Sequence, residues 1–157
     1  MDGELTHLDA QGRARMVDVG DKAVTRRSAR AEAVVAMQPT TVELLADAAL
    51  PKGDALAVAR LAAIQGAKRT PELVPLCHPL PIDVVEVDVE FVEEGVRLVV
   101  EVGVEARTGV EMEALVGASV GALALYDMIK GVDRGAEIRR VRLLEKRGGR
   151  SGVWVRD

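Results

Sequence analysis

The sequence is poor in aromatic residues and in cysteine. Phe91, Tyr126 and Trp154 make up the whole aromatic content, 2% of 157 residues. A core must therefore be built from Val, Leu, Ala, Ile and Met, and the aromatic platforms on which many RNA-binding proteins stack bases are disfavoured. The single cysteine excludes an intrachain disulfide and favours a reducing cytoplasm.

Signals for export and for membrane insertion are also missing. The first residues lack the basic-then-apolar layout of a signal peptide. The most apolar stretch, 114–129, includes Gly, Ser, Tyr and Asp127, which suggests that it is too short and too mixed to cross a membrane. We therefore expect a soluble cytoplasmic protein that binds neither membrane nor nucleic acid. Hydrophobic residues at 48% and charged residues at 29% predict one globular domain over residues 1–157, with residues 1–12 as a mobile arm.

The net charge of −4 is unevenly spread along the chain. Residues 83–113 contain ten acids against two arginines, whereas residues 134–156 contain eight bases against two glutamates. The basic segment could bind phosphate, or it could pair with the acidic strands of a neighbouring subunit. A solvated charged surface explains most of these groups equally well.

The alternation of residue types predicts an α+β fold. Strands are predicted over 22–37, 85–91, 96–104, 141–144 and 152–155, with a further strand at 16–19. Helices are predicted over 42–50 with Thr40 or Thr41 as cap, over 55–68 with Asp54 as cap, and over 110–130, with a short helical turn at Thr70. The order of elements favours a ferredoxin-like antiparallel sheet covered by helices on one face.

A proline-rich loop contains the most reactive side chains of the chain. Three prolines in residues 75–81 exclude helix and central strand around Leu76, Cys77 and His78. One Cys and two His are too few for a zinc site, and neighbouring residues of an extended chain point apart, which disfavours a Cys–His dyad. His78 could donate a hydrogen bond or transfer a proton, and a purely rigid turn is the equal alternative.

Four other groups of residues, most of them charged, are candidates for a site. Asp127 and Lys130 are three apart on a helix and can pair as an acid–base couple or as an ordinary surface pair. The remaining candidates, each with an ordinary structural explanation, are Lys52 (loop lysine), Lys68 and Arg69 (helix end), and Glu111, Met112 and Glu113 (acidic helix start).

The length of the predicted helix 110–130 separates these candidates. Glu113 and Asp127 are fourteen residues apart, which is about 21 Å along a helix. A small-molecule site cannot easily use both ends of one helix. If both ends are catalytic, they must serve different copies of the site, or one site must be shared by two chains. The small residues 117–122 offer a surface for such packing. The sequence therefore predicts a homo-oligomer.

Short motifs in a fixed order resemble the cyclic pyranopterin monophosphate synthase family, the MoaC type. They cover nearly the whole chain, and the ordered combination is specific although no single motif is. The matching stretches are 16–19, 52–54, 67–70, 73–80, 108–115, 126–130 and 141–152.

The resemblance implies a lyase of molybdenum cofactor biosynthesis. Its members convert 3′,8-cyclo-7,8-dihydro-GTP to cyclic pyranopterin monophosphate and release pyrophosphate. The resemblance also implies a ferredoxin-like subunit in a hexamer, a trimer of dimers, with sites between subunits. By position, Asp127, Lys130 and Lys52 match catalytic residues. The substrate-binding positions would be Leu76, Cys77, His78, Met112, Glu113, Glu111, Lys68, Arg69 and Arg27, the last meeting the triphosphate.

The residue types suit that chemistry. Lysines and arginines can hold a triphosphate and stabilise departing pyrophosphate, and ring opening and closure require several proton transfers. We expect no metal site in the protein, with Mg²⁺ able to arrive on the triphosphate. A non-catalytic nucleotide-sensing oligomer of ferredoxin-like fold is the alternative, but it gives no reason for the Asp127–Lys130 pair.

Overall fold

The computed structural model describes residues 6–157 and shows one sheet with its helices. The elements, in chain order, are β1 Thr25–Ala36, α1 Pro39–Ala46, α2 Ala55–Lys68, α3 Thr70–Leu73, β2 Val84–Val92, β3 Gly95–Ala106, α4 Glu111–Ile129, β4 Glu137–Arg147 and β5 Trp154–Val155. The predicted strands 22–37, 85–91 and 96–104 and the helices 55–68 and 110–130 are confirmed within a few residues. As predicted, Asp54 caps α2, because its Oδ1 accepts a hydrogen bond of 3.0 Å from the Ala57 amide.

The sheet has the strand order β2-β3-β1-β4-β5, and every neighbouring pair is antiparallel. The first four strands with α1–α3 and α4 as connections form the β-α-β-β-α-β pattern of the ferredoxin-like fold. The fold is therefore ferredoxin-like α+β, as the sequence predicts, with β5 as a short addition beside β4. Residues 93–94 form the tight turn between β2 and β3.

The core lies between the sheet and the helix pair α2–α4. On the covered face of the sheet, alanines of β1 oppose large aliphatic residues of β3, as in Ala31 opposite Val100 and Ala33 opposite Leu98. Small residues on β1 leave room for α4, whose buried side includes Ala114, Ala118, Ala122, Leu125 and Ile129. One face of the sheet is thereby covered, and the other is open.

The small middle of α4 is occupied within the chain. A Cβ at Gly121 would meet Ala63 and Ala59 of α2 at 3.0–3.2 Å, and one at Gly117 would meet Val100 and Ala63 at 3.0–3.1 Å. The buried small residues of this stretch therefore let α2 and the sheet approach α4 of the same chain, whereas Ser119 and Val120 stay half-buried.

Two predicted elements are corrected. Residues 16–19 form no strand, because they pair with no neighbouring strand. Helix α1 begins at Pro39 and ends at Ala46, so Thr40 and Thr41 lie inside it rather than capping it. Proline fits the first helical turn, where its missing N–H would have no partner, and the Thr41 hydroxyl instead donates to Asp133 Oδ2 at 3.0 Å.

The predicted arm, residues 1–12, falls partly outside the described residues, which begin at Thr6. The rest forms a turn in which the Asp9 carboxylate accepts from the Gln11 and Arg13 amides. Within the described residues, α4 is the one helix whose length and composition alone would suit a membrane span, and this match is weak evidence. The same length and apolar composition belong to a core helix, and α4 packs on α2 and three strands.

Candidate active site

A cavity of about 360 Å³ opens where β3 ends and α4 begins. Four segments of the chain meet there: residues 6–7, residues 17–22, the proline-rich loop after α3, and residues 108–113, which lead into the first turn of α4. Its walls are Thr6, His7, Val17, Val19, Lys22, Leu76, Cys77, His78, Leu80, Thr108, Gly109, Glu111, Met112 and Glu113. All six site residues predicted in the proline-rich loop and at the start of α4 therefore line one cavity.

His78 is fixed by the backbone of the extended segment. Its Nε2 lies 2.7 Å from the Val17 carbonyl oxygen, so the ring nitrogen is a donor there. This bond fixes the orientation of the imidazole ring, and as the second ring nitrogen of a neutral imidazole, Nδ1 can accept a hydrogen bond. The unpaired residues 16–19, absent from the sheet, thus position an imidazole in the cavity wall.

Glu113 is the buried acid of the cavity. Its side chain lies in the first turn of α4 with 3% of the residue exposed. Burial raises the pKa of Glu113 to about 7, and the nearby Glu111 charge adds to the increase. Burial and the charge of Glu113 also raise the pKa of the Cys77 thiol, which disfavours a thiolate nucleophile. Glu113 can therefore hold or release a proton near neutral pH.

A second, cationic cavity of about 590 Å³ adjoins the first. Lys22 lines both, and Arg27 and Arg150 lie in the second. The Arg27 Nε donates to the Ala106 carbonyl at 3.2 Å, which holds the guanidinium at the end of the sheet. Lys22 was not among the predicted site residues, although its place just before β1 puts it at the same sheet end as the start of α4.

Lys52, Asp127 and Lys130 form a separate cluster at the other end of α4. The Lys130 Nζ lies 2.7 Å from Asp127 Oδ1, and the Lys52 Nζ lies 3.3 Å from Oδ2 and 2.8 Å from the Asp127 carbonyl oxygen. The Lys130 hydrogen bond, followed by that of Lys52, lowers the pKa of Asp127. The aspartate therefore stays ionised between two ammonium groups.

Lys68 and Arg69 lie at the end of α2 on the surface. Because Ala67 packs near Gly117 and Ala59 near Gly121, α2 runs antiparallel to α4 and its end reaches the cavity end of the molecule. Both side chains are exposed, and neither lines the two cavities. Within one chain the predicted site residues thus form two clusters, the cavity residues and Lys52–Asp127–Lys130. Lys68 and Arg69 belong to neither and lie on the surface at the cavity end.

The two clusters are separated by the length of α4. Glu113 and Asp127 lie in its first and last turns, about 21 Å apart for fourteen residues of helix. Within residues 6–157, no three His, Cys, Asp or Glu side chains converge in a way that could hold a metal ion.

Comparison with known proteins identifies the family. The sequence model of the MoaC family matches residues 16–149. A protein of Thermomicrobium roseum named cyclic pyranopterin monophosphate synthase is 56% identical over 98% of this chain and 94% of its own length. Proteins of the same name from Streptomyces avermitilis and Streptomyces coelicolor are 55% and 54% identical over 98% of this chain and 90% of theirs. The chain belongs to the MoaC family.

Proposed function

We propose that this protein is a cyclic pyranopterin monophosphate synthase, a cytoplasmic lyase of molybdenum cofactor biosynthesis. Its substrate would be 3′,8-cyclo-7,8-dihydro-GTP, and its products cyclic pyranopterin monophosphate and pyrophosphate. The observation that carries the proposal is the agreement of 54–56% identity with three synthases of that name over almost the whole chain. The two clusters of site residues supply the groups that such a reaction needs.

The substrate would lie across the two adjoining cavities. Lys22 and Arg27 suit the triphosphate, because guanidinium and ammonium groups donate charge-assisted hydrogen bonds to phosphate oxygens. The narrower cavity with Leu76, Cys77 and Met112 suits the ring system, which needs apolar walls and a few polar groups. Glu113 and His78 would bind and orient the rings, and Glu111 would contribute at the rim.

Lys52, Asp127 and Lys130 would carry the central proton transfers. In the closing step a ribose hydroxyl attacks the α-phosphorus, a new P–O bond forms, the bond to the β-phosphate breaks, and the hydroxyl proton passes to a base. The ionised Asp127 holds the two ammonium groups close together, so that its carboxylate can accept the hydroxyl proton while the ammonium groups donate hydrogen bonds to the phosphate oxygens. Lys68 and Arg69, at the cavity end of α2, would add positive charge beside the pyrophosphate.

The cluster at Asp127 would complete the cavity of a second subunit. An exposed stripe runs along α4 through Met112, Leu123, Asp127 and Lys130, with the half-buried Val116 and Ser119 between. Beside it, α2 exposes Val58 and Leu61, the latter 68% exposed. Residue 120 is halfway along α4 between Glu113 and Asp127. A two-fold axis that passes beside residue 120, perpendicular to α4, would therefore place the partner's Asp127 next to Glu113. Such a dimer forms two complete sites and is the building block of the proposed hexamer, a trimer of dimers.

We propose that the protein needs no cofactor of its own. Magnesium would arrive with the substrate, bound to the triphosphate oxygens, since this ion favours phosphate and retains most of its waters. The chain's own contribution at that place would be the positive charge of Lys22 and Arg27 beside the oxygens that the metal leaves free.

The first prediction tests the reaction and the role of Asp127 together. Purified protein supplied with the cyclised dihydro-GTP should release pyrophosphate and the pterin product. Asp127→Asn removes the charge between the two lysines at constant size, so turnover should fall about 10²–10⁴-fold with the assembly intact. Asp47→Asn, an exposed aspartate after α1 with no side-chain partner among the described residues, is the matched control.

Two outcomes would count against the proposal. Folded wild-type protein that binds the substrate without turnover would favour a nucleotide-sensing oligomer. Full activity of Asp127→Asn would remove this residue from the mechanism and leave the lyase activity standing.

A further inference from the structure

Arg27 lies at the end of the sheet, where β1 has a neighbouring strand on each side. It is the third residue of β1, which pairs with β3 on one side and with β4 on the other. Its Nε donates to the carbonyl oxygen of Ala106, the last residue of β3, at 3.2 Å. On the β4 side, Gly148 and Gly149 directly follow the strand and lie beside Arg27. The guanidinium is therefore placed between the end of β3 and the loop after β4.

The loop after β4 is held in place by hydrogen bonds. The Gly152 amide donates to the Gly149 carbonyl oxygen at 3.2 Å, which closes a tight turn. Lys146 Nζ donates to the Gly148 carbonyl oxygen at 3.4 Å and also to Ser151 Oγ. These bonds fix the loop to β4, and β4 is paired with β1. The position of Gly149 beside the guanidinium is therefore set by the sheet.

The space beside Gly149 is filled by the guanidinium of Arg27. A Cβ at position 149 would overlap Nη1 and would lie 3.1 Å from Cζ and 3.4 Å from Nη2. Atoms in van der Waals contact are about 3.5 Å apart or more, so a side chain fits there only if the guanidinium moves. The backbone alone does not demand glycine, because Asn and Asp also adopt a φ near the +73° of Gly149. The contact with Arg27 is therefore what excludes a side chain at this position.

The terminal nitrogens of Arg27 are available to a ligand. Among the described residues, Nη1 and Nη2 donate to no acceptor, and the guanidinium forms no ion pair. Of the described residues that line this cavity of about 590 Å³, Lys22, Arg27 and Arg150 are cations and Asp21 is an acid. A guanidinium with two unengaged NH₂ groups, beside further cations, can bind two oxygens of a polyphosphate at once.

We propose that Gly149 is a positioning residue for the triphosphate of the substrate and that it acts through Arg27. The Ala106 carbonyl holds Nε, and the missing side chain of Gly149 leaves the room from which Nη1 and Nη2 reach the phosphate oxygens. The inference rests on the proposed function, because it takes the triphosphate as the group that Arg27 binds. An alanine at position 149 would keep the charge of the cavity and displace the end of one flexible side chain. Because hydrogen bonds weaken steeply when they are misaligned, that displacement is enough to lower the affinity for phosphate.

The second prediction tests this role with inorganic tripolyphosphate, which carries the phosphates without the ring system. Wild-type protein should bind it, and Gly149→Ala should bind it about tenfold more weakly by calorimetry, because one charge-assisted hydrogen bond is misplaced. The same variant should raise KM for the cyclised dihydro-GTP by a similar factor and lower kcat much less. The triphosphate is held equally in the ground state and the transition state, so its loss affects binding.

Gly152→Ala is the matched control in the same loop. Gly152 also has a positive φ, +62°, but a Cβ there would meet nothing within 4 Å. Both alanines strain the backbone in the same way, so they should lower the thermal midpoint by similar amounts. Gly152→Ala should nevertheless keep the wild-type affinity for tripolyphosphate.

A double-variant cycle shows whether Gly149 acts through Arg27. Arg27→Ala should weaken the binding of tripolyphosphate, and the addition of Gly149→Ala should weaken it no further, because the group that the alanine displaces is gone. If Gly149→Ala alone folds poorly, the same cycle still gives an answer, since Arg27→Ala removes the clash. The double variant should then be as stable as Arg27→Ala combined with Gly152→Ala.

Three results would overturn the proposal. They are wild-type protein that does not bind tripolyphosphate, equal affinities of Gly149→Ala and Gly152→Ala, and an undiminished effect of Gly149→Ala in the Arg27→Ala background. Wild-type protein that binds tripolyphosphate but releases no pyrophosphate from the cyclised dihydro-GTP would instead count against the proposed reaction. In that case the role of Gly149 in positioning Arg27 for a polyphosphate would stand.

Discussion

Glu113 and Asp127 are two carboxylates of one helix in opposite electrostatic environments. Glu113 is buried without a cation, so its pKa rises to about 7, and Asp127 lies between two lysines, so its pKa falls. Such a divergence is the usual way in which two acids of one site acquire different roles. Glu113 is suited to donate a hydrogen bond to substrate, and Asp127 to organise positive charge.

The third prediction follows from the raised pKa of Glu113. The pKa of Glu113 is the ordinary glutamate value of 4.5 in the unfolded chain and about 7 in the folded chain. The stability associated with protonated Glu113 is therefore full below pH 4.5 and lost as the pH rises to 7, by up to about 3 kcal/mol. Glu113→Gln should remove this loss. The difference in free energy of unfolding between the variant and the wild type, measured in urea, should therefore change in favour of the variant as the pH rises from 5 to 8.

The control for this titration is Glu43→Gln, an exposed glutamate of α1. It should change the free energy of unfolding by the same amount at pH 5 and at pH 8. A Glu113→Gln protein whose stability runs parallel to that of the wild type from pH 5 to 8 would mean that Glu113 is ionised throughout, and its assigned role as a donor would be wrong.

At the scale of single residues, the sequence named candidate site residues, and the structure shows where they lie. The residue types at 76–78, 111–113, 52, 127 and 130 suggested binding and proton transfer, and the structure collects them in two clusters. Lys22 was not predicted as a site residue, because a lysine just before a strand has no local sequence signature. Its position follows only from the antiparallel pairing that brings the start of β1 beside the end of β3.

Among the elements, α2 and α4 form the contact that supports both clusters. Gly66 of α2 and Gly117 and Gly121 of α4 allow the two helices to approach closely, with Ala59, Ala63 and Ala67 between them. The antiparallel contact sets the cavity at one end of the helix pair and the Lys52–Asp127 bond at the other. A change in its spacing would move both.

The fourth prediction concerns this spacing. A Cβ on Gly66 would lie 2.8 Å from the Val120 Cβ, an atom that cannot move without the backbone of α4. The gain of about 1 kcal/mol in helix propensity is then outweighed by overpacking of about 1–3 kcal/mol. Gly66→Ala should therefore lower the thermal midpoint by a few degrees, and turnover should fall with it.

Gly131→Ala is the matched control, because a Cβ at Gly131, just beyond α4, would meet nothing within 4 Å. It should leave the midpoint unchanged or raise it slightly. If Gly66→Ala proved as stable as Gly131→Ala, the helices would have room to separate, and the close contact would not determine the geometry of the site.

The sequence predicted most helices and strands, because the spacing of hydrophobic residues and the capping of helices are local properties. Alternation gave β2 and β3, and Asp54 marked the start of α2. Residues 16–19 alternate like a strand but pair with no strand of the sheet, and the Val17 carbonyl accepts a hydrogen bond from His78 instead. Pairing is a property of the whole sheet, and no local pattern contains it. The small middle of α4 likewise indicated close packing without indicating against what.

For the whole molecule, the length of α4 determines whether one chain can form a complete site. The sequence alone gave the separation of Glu113 and Asp127, and with it the expectation of a shared site. Only the structure distinguishes two surfaces. One is the exposed stripe of α4 with Leu61 of α2 beside it, and the other is the open face of the sheet, acidic along β2 and basic along β4. If the stripe forms the shared site, each cavity works with the Lys52–Asp127–Lys130 cluster of another chain.

The fifth prediction is that two inactive variants restore each other when mixed. Asp127→Asn damages one end of α4, and His78→Ala damages the cavity wall at the other end. After joint refolding, half of the dimers contain one chain of each kind. In each of these, one site carries both changes and the other carries none, so roughly a quarter of wild-type turnover should return.

A second mixture of variants serves as the control for the shared site. A mixture of Asp127→Asn and Lys52→Met damages the same cluster in every chain, so no site can be intact and no turnover should return. Recovery in the first mixture and none in the second requires that cavity and cluster come from different chains, because a site within one chain stays damaged in any mixture. Equal inactivity of both mixtures, with mixed dimers present by mass spectrometry, would exclude the shared site and require α4 to bend or substrate to move between its ends.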